Sequence, residues 1–507
     1  MREKMKYAVT AAEMKQYEAN TIERTGIPAM VLMEHAAWAV AGVINDAVKP
    51  GDREKQKVLI LAGMGNNGAD GLALARMLSE DGYHVEVWMV GNPEKATGQW
   101  LLQNRILTGY PVEFGGKPRR EEYTIIVDAL FGIGLTREIE GEYADAIAFC
   151  NSKKAWKIAV DIPSGLHADT GKILGCAFEA DVTVTFGFIK RGMAVLPGPG
   201  CAGKVILDPI GISERNFYGQ EPGMFLYDEP LSELLPKRDP GGNKGTFGKV
   251  LLIAGSKNMA GAAVLAAKAA YRAGAGMVKV LTVPENRKIL QVAVPEALLG
   301  TYEELPEAME WADVAGIGPG LGCGGDAVKI LKAVLEDGLK PLLLDADAMN
   351  LLAKDETLKE LLCRCTRAGR QVILTPHVGE LSRLTGYAAF QLKQDLNRYA
   401  MEYAQETGTV VAAKDFCTFV CREGKPVFLS RSGNCGMATA GSGDVLAGCI
   451  LGIWAQSIKM WDAFRAACVG VYAHAKAGDR AAQDLGVYAC MAGDIAERIC
   501  GLKEGEY

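Results

Sequence analysis

Long apolar runs, histidine and net positive charge are all in short supply here. No stretch of about 18 uninterrupted apolar residues occurs, which argues against a membrane-spanning helix. The opening "MREKMKYAVTAAEMKQ" has no apolar run behind its charges, so it does not read as a secretory signal. Histidine occurs five times in 507 residues, and the thirteen cysteines are scattered and odd in number. Cys363 and Cys365 stand too close together for a zinc half-site of the usual spacing. These cysteines read as small core residues in a reducing cytosol. The net charge of −6 provides no global basic field to recruit nucleic acid or an acidic membrane. The expectation is a cytoplasmic protein with no nucleic-acid or membrane partner.

Glycine is plentiful: 60 of 507 residues, about 12%, against roughly 7% in average proteins. That excess predicts many tight turns and sites lined by backbone. Apolar residues at 49% and charged residues at 23% are ordinary for a globular protein. The length allows two to four domains of roughly 100–200 residues each.

"TAAEMKQYEANTIERTG" opens the chain like a capped helix, with Thr10 and Glu13 at capping-box spacing and Gly26 as the stop. Short runs rich in Val and Ile then alternate with helical stretches: "KVLILAG", "HVEVWMVG", "YTIIVDALFG", "KIAVDIPSG" and "ADVTVTFG". Each ends in glycine or a polar turn, as strands of a parallel sheet do. The pattern lapses between about 212 and 242, a proline-bearing stretch of little period, and the domain boundary is expected there. A second α/β series follows. "KVLLIAGS" precedes an alanine-rich helix; "MVKVLTVP", "DVAGIGPGLG", "PLLLDADAMN", "QVILTPHVGE" and "TVVAAKDFCTFV" read as strand-plus-loop units. "GSGDVLAGCILGIWAQS" places Leu446, Ile450, Ile453 and Trp454 on one helical face. "KVLILAGMGNNGADGLALA" and "KVLLIAGSKNMAGAAVLAA" look alike, as two domains that each open strand, glycine loop, helix would without common descent.

"GMGNNGADG" falls where open α/β sheets bind ligands, beyond a strand end and ahead of a helix. Asp128 in "VDALFGIG" and Asp161 and Ser164 in "VDIPSG" sit at further strand ends. Loops at strand ends of one sheet converge on one edge, and their Asn, Asp and Ser oxygens suit a hard cation. These three motifs, in this order, resemble the NAD(P)H-hydrate epimerase domain. The resemblance covers about residues 8–215 and implies a site for the hydrated dinucleotides NADHX and NADPHX. That site would draw on Asn66, Asn67, Gly68, Ala69 and Asp70. It would add Gly132, Ile133, Gly134 and Leu135, followed by Thr136, Arg137 and Glu138. Tyr143 would touch substrate, and Asp161 would serve as substrate ligand and acid/base. Asn67, Asp128 and Ser164 match positions that hold a potassium ion. Ala69 stands where the family has glycine.

"NKGTFGKVLLIAGSKNMAGAAVLAAKAAYRAGAGMV", "GPGLG", "PLLLDADAMN", "ILTPHVGELSRL" and "GNCGMATAGSGDVLAG" resemble the ADP/ATP-dependent NAD(P)H-hydrate dehydratase, a ribokinase-like fold. This match spans about residues 235–500. By the resemblance, Gly320, His377, Val378, Gly379 and Glu380 would line the hydrate site, with Leu381, Ser382 and Arg383. Lys414, Asp415, Phe416, Cys417 and Thr418 would hold the adenine nucleotide. So would Asn434, Gly436, Met437, Ala438 and Thr439, followed by Ala440, Gly441, Ser442 and Gly443. Asp444 would be the catalytic base, with Mg²⁺ accompanying ADP. "KDFCT" departs from the family's glycine-rich loop, and "HVGE" lacks its usual proline.

The expected architecture is α/β with two domains. Residues 1–225 form a Rossmann-like three-layer epimerase domain, and residues 226–507 a ribokinase-like ADP-dependent dehydratase domain. The expected function is repair of hydrated NAD(P)H: exchange of its (R) and (S) epimers, then dehydration of (S) with ADP, giving AMP and phosphate. A homo-oligomer is expected from both domain families. Two alternatives stand beside this function: a vitamin-alcohol kinase that also uses Asp444 as base, with an accessory N-terminal half, and an N-terminal non-catalytic binding module. The intact Asn66, Asn67, Asp128 and Asp161 set argues against both.

Overall fold

The computed structural model describes residues 6–338 and 340–501. The chain forms two compact units, Lys6–Met224 and the residues from Phe225 onward.

In the first unit, β1 (Lys6–Val9) leads into α1 (Ala11–Glu23) and α2 (Ala29–Ala47). The Thr10 hydroxyl accepts from the Glu13 amide, and Glu13 accepts from the Thr10 amide, so the expected capping box is formed. A parallel sheet then builds from β2 (Lys57–Ala62), β3 (His84–Met89), β4 (Glu113–Gly115), β5 (Ile125–Ala129), β6 (Trp156–Val160) and β7 (Val182–Phe186). The two-residue β8 (Ile189–Lys190) pairs with β1, and β9 (Lys204–Asp208) closes the sheet in the order β4-β3-β2-β5-β6-β7-β9. α3 (Asn66–Glu80), α4 (Gly98–Leu107) and α5 (Glu142–Asn151) connect the strands.

Strand β2 shows why the unit has three layers. Its Leu59 and Leu61 join Ile147 and Cys150 of α5 in one cluster. Ile60, pointing the other way, lies beside Gly71 of α3. The period-two alternation of a strand thus requires a helix on each face, and the run reads as continuously apolar.

The short β10 (Met224–Leu226) leads into the second unit. Its sheet contains β11 (Lys249–Ile253), β12 (Met277–Leu281), β13 (Leu298–Gly300), β14 (Val314–Ile317), β15 (Leu342–Leu344), β16 (Val372–Leu374), β17 (Val410–Lys414), β18 (Thr418–Cys421) and β19 (Val427–Ser430). Strands β13-β12-β11-β14-β15-β16-β17 are parallel. "TVVAAKDFCTFV" is not one strand-plus-loop unit. It is the antiparallel β17–β18 hairpin, with Lys414 paired to Thr418 around the Asp-Phe-Cys turn.

The helices that carry the second site are α6 (Ala260–Arg272), α7 (Val378–Thr385), α8 (Ser442–Ser457) and α9 (Ala463–Leu485). Leu446, Ile450, Ile453 and Trp454 are all buried in α8, and so is every other residue from Val445 to Ala455. A Cβ at Gly448 would lie 2.1 Å from the Ala266 carbonyl oxygen, and one at Gly452 2.3 Å from that of Ala270. Backbone thus meets backbone between α8 and α6. This close approach explains the alanine run of α6, since larger side chains would hold the helices apart. Among the described residues no helix is long and apolar enough to cross a membrane.

Candidate active sites

The first unit holds an open cavity of about 670 Å³ beyond the ends of β2, β5 and β6. Its floor is the β2–α3 turn. A Cβ at Gly68 would fall 1.8 Å from the Gly63 carbonyl oxygen, so the first turn of α3 folds tightly over the strand end. Asn66 and Asn67 open α3 with Gly65 as N-cap, and the free amides of that turn border the cavity.

Of the residues expected to bind the hydrate, Asn66, Asn67, Asp70, Gly132, Ile133 and Gly134 line this cavity. Leu135, Thr136, Arg137, Tyr143 and Asp161 line it as well. Three others are not brought there. Gly68 and Ala69 are buried on the strand-facing side of α3, and Glu138 lies against Gly175. Tyr143 packs on Phe131 with ring centroids 5.0 Å apart. Sequence reasoning missed Lys15, Glu18, Lys95 and Lys190, which also line the cavity. Lys15 and Lys95 join Arg137 as cations suited to a dinucleotide's phosphates.

Asp161 follows β6 with φ +69°, a strained conformation for a non-glycine residue. Its carboxylate accepts from the Phe186 amide (3.2 Å), from Thr185 Oγ1 (3.4 Å) and from Lys190 Nζ. The Lys190 side chain is 1% exposed and also donates to Thr185 Oγ1 (3.0 Å) and the Phe186 carbonyl (2.8 Å). Asp70 differs. Loss of water, then the charges of Asp161 and Glu18, hold its carboxyl well above the ordinary range.

Asp128, wholly buried, accepts from the Ser164 amide and hydroxyl (both 2.7 Å) and the Leu130 amide (3.1 Å). Burial pushes it up to about 6 against those three bonds. Among the described residues no lysine or arginine figures in that balance. The buried Asn67 amide nitrogen has no partner among the described residues. A buried carboxylate held only by neutral donors, and a buried amide without a partner that can turn its oxygen, are each ligands an oxygen-seeking cation takes.

In the second unit, Gly441 N-caps α8 in the left-handed region (φ +92°), and Asp444 stands in the first helical turn. The Lys414 ammonium lies 3.3 Å from where a Cβ of Gly443 would be, and 3.5 Å from Asp345 Oδ1. Asp345 is 2% exposed and also accepts from Thr375 Oγ1 at 2.6 Å. Ala346, beside it, has φ +45°. Burial pushes the Asp444 carboxyl up to about 7, reinforced by Asp345, Asp347 and Glu380 and opposed by Lys414. A carboxyl poised near neutrality beside free helix amides and a lysine can take a proton while a phosphoryl group is held close.

His377 is the N-cap of α7. Its Nδ1 accepts from the Gly379 and Glu380 amides (2.9 and 3.3 Å), and Glu380 accepts from the His377 amide (2.9 Å). Burial and the nearby Lys414 and Arg383 hold its imidazole below the ordinary range. Arg383 Nε reaches Asn350 Oδ1 at 3.0 Å, Ser382 turns to the Tyr387 carbonyl, and Gly320 (φ +58°) packs on Ala262 and Met259. Val378 and Leu381 are core residues, so their side chains are not at the site.

In the nucleotide set, Asp415 and Phe416 are exposed at the hairpin turn, Thr418 is half-buried, and the Cys417 side chain is buried. Asn434 bridges Asp479, the Gly478 carbonyl and the Gly436 amide; Gly436 is buried against Val487. Met437 packs on Gly478, and Ala438, Thr439 and Ala440 lead into Gly441. Ser442 Oγ lies 3.4 Å from Nε2 of His474, which sequence reasoning missed. Burial pushes that histidine down to about 4.

A family model described as NAD(P)H-hydrate dehydratase matches residues 250–500, and one described as YjeF-related protein N-terminus matches residues 29–192. A bifunctional NAD(P)H-hydrate repair enzyme Nnr of Moorella thermoacetica is 35% identical, covering 97% of this chain and 95% of its own. That of Escherichia coli K12 is 34% identical, covering 96% and 92%. Among solved structures, the ADP/ATP-dependent NAD(P)H-hydrate dehydratase of Bacillus subtilis, co-crystallised with ATP and Mg²⁺, is 30% identical. It covers 53% of this chain and 94% of its own, with a TM-score of 0.47.

Proposed function

Because the chain belongs to the family of bifunctional NAD(P)H-hydrate repair enzymes, we propose that each unit carries one of the two reactions, with the roles given below. The vitamin-kinase and binding-module alternatives give way to this family. The first unit exchanges the (R) and (S) hydrates, with Asp161 as acid/base. Asn67, Asp128 and Ser164 would hold potassium, which supplies the positive charge that Asp128 lacks from protein groups. Asn66, Arg137 and Tyr143 bind and orient the dinucleotide.

The second unit dehydrates the (S) hydrate with ADP. Asp444 takes the proton of the C6 hydroxyl, and that oxygen attacks the β-phosphorus. The bond to the AMP oxygen breaks, and AMP leaves. The C6 phosphate ester is then expelled by the ring-nitrogen lone pair, and loss of a C5 proton restores NAD(P)H. Lys414 and the α8 amides hold the migrating phosphoryl group. Mg²⁺ would arrive on the nucleotide and neutralise its phosphates; among the described residues no group of three acidic, histidine or cysteine side chains is set to hold a metal.

The observation that carries this reading is Asp444 itself, a carboxyl near neutrality in the first turn of a helix whose amides adjoin Lys414. The test is turnover of each epimer with ADP and with ATP in parallel, followed by recovery of near-UV nicotinamide absorbance. (S) is expected to be repaired directly and (R) after exchange, with ADP the better phosphoryl donor. Accumulation of a stable phosphorylated alcohol would overturn the reading.

The pH profile supplies a further prediction. Asp444 works ionised, so kcat/KM for dehydration should fall about tenfold per pH unit below about 7 and level off above it. Asp345 is one of the like charges that raise Asp444. Asp345→Asn should therefore move the acid limb to lower pH. An unmoved limb would show that Asp345 does not set the base.

A further inference from the structure

The chemistry asked of the N-terminal site admits two routes. Either the C6–O bond breaks and water returns to the other face, or the C6–N1 bond breaks and the ring recloses. Three carboxyls line the cavity, Glu18, Asp70 and Asp161, and two of them, Asp161 and Asp70, decide between the routes. Their surroundings are opposite. Asp161 collects three donors, among them the buried Lys190 ammonium, and its oxygens are held in place as acceptors. Asp70 has only carboxylates, Asp161 and Glu18, among the charged groups that act on it. Burial and these like charges favour the protonated form of Asp70. One wall thus presents a carboxyl held by donors and, beside it, a carboxyl biased towards its acid form.

Resting on the epimerase reading above, we infer that this site exchanges epimers by opening the ring at C6–N1, with Asp161 as base on the C6 hydroxyl and Asp70 as acid at the ring nitrogen. Asp161 takes the hydroxyl proton, and the C6–O bond becomes a carbonyl. The C6–N1 electron pair goes to nitrogen, which takes the Asp70 proton. The resulting aldehyde turns about C5–C6. On reclosure N1 returns its proton to Asp70, its lone pair attacks the other face of C6, and the oxygen recovers its proton from Asp161. Both groups end as they began, and no water is consumed or released.

The alternative route fits these residues badly. Loss of hydroxyl on one side and addition of water on the other would leave the acid spent and the base loaded. A base pinned to Lys190 and an acid among carboxylates would both have to trade states on every turnover. In the C-terminal half, moreover, the same C6–O bond breaks only after a phosphoryl group has been placed on the oxygen. Here the cavity is within the range of ordinary ligand sites, large enough for the ring to turn. Lys190 is a positioning residue in this scheme, acting through Asp161.

The full chain, without nucleotide, is given the (R) hydrate of NADH in H₂¹⁸O, and the (S) product is weighed by mass spectrometry against the buffer reaction. The expected product keeps ¹⁶O at C6. One ¹⁸O for each molecule exchanged overturns ring opening while leaving the epimerase reading intact. No acceleration over buffer overturns the epimerase reading, and the inference with it. Asp70→Asn should slow exchange by about 10²–10⁴-fold, with ADP-dependent dehydration of the (S) epimer unchanged. Exchange by that variant within threefold of wild type overturns the role of Asp70. If Asp70→Asn does not fold, the labelling of the wild-type chain still decides the route.

Discussion

Asp444→Asn should lower ADP-dependent dehydration of the (S) hydrate by about 10²–10⁴-fold and leave exchange of the epimers at the wild-type rate. The substitution is nearly isosteric, so what it removes is the ability to take a proton. The environment that makes Asp444 effective stays in place: burial, and the charges of Asp345, Asp347 and Glu380. An asparagine there feels no penalty from those charges, and the helix end should remain folded. Nucleotide binding, measured by calorimetry with ADP, should persist, because Lys414 and the α8 amides are untouched. Dehydration within tenfold of wild type would take the role of base from Asp444. Loss of both activities would point instead to a folding defect.

The contrast between local and distant partners explains what the sequence could show. The loop "GSGD" and the turn "GMGNNGADG" were legible because their function lies in consecutive backbone amides. Small residues clustered ahead of an apolar helix announce that arrangement. The Thr10–Glu13 capping box was legible for the same reason. Lys190 and Asp345 were not. Lys190 reaches Asp161 across 29 residues, and Thr375 reaches Asp345 across 30; only the order of strands in a sheet brings such pairs together. Asp345 sits at the end of β15 in "LLLDADAMN", where an apolar strand with a polar end gives no sign of charge coupling to Asp444.

Two of the expected site residues, Val378 and Leu381, have side chains buried in the core. Carrying over the whole run from His377 to Arg383 included Val378 and Leu381, yet helical spacing alone places 378 and 381 on one face, here the core. His377 carried a local signal of its own. Glu380 three residues later makes a capping box, which uses Nδ1 as an acceptor, while Nε2 lies 3.5 Å from Glu380 Oε1. The hairpin at Lys414–Thr418 was missed because "TVVAAKDFCTFV" contains neither proline nor glycine to mark its turn.

Lys190→Met should be the most damaging single change in the first unit. The methionine keeps the apolar stem and removes the ammonium that answers Asp161. Lys190 is 1% exposed and Asp161 14%, so the carboxylate would keep only its cavity-facing side in water and lose its cationic partner. Removing one member of a buried pair costs about 3–5 kcal/mol, because the remaining charge is uncompensated. The Thr185 hydroxyl and the Phe186 carbonyl would lose a partner in the same step. Hydrogen exchange should therefore quicken in β6 and β7 (which flank Asp161), and the thermal transition of residues 6–224 should fall. Epimer exchange should drop by about 10²–10⁴-fold, since the base is no longer held in place. Dehydration of (S) hydrate, the work of Asp444 and Lys414, should survive. Lys190→Arg separates charge from position. It should recover part of the lost stability, yet little of the exchange rate, because a guanidinium cannot enter the pocket between Thr185 and Phe186 as an ammonium does. Equal stability of wild type and Lys190→Met would show that the Asp161–Lys190 pair does not hold this edge of the sheet together.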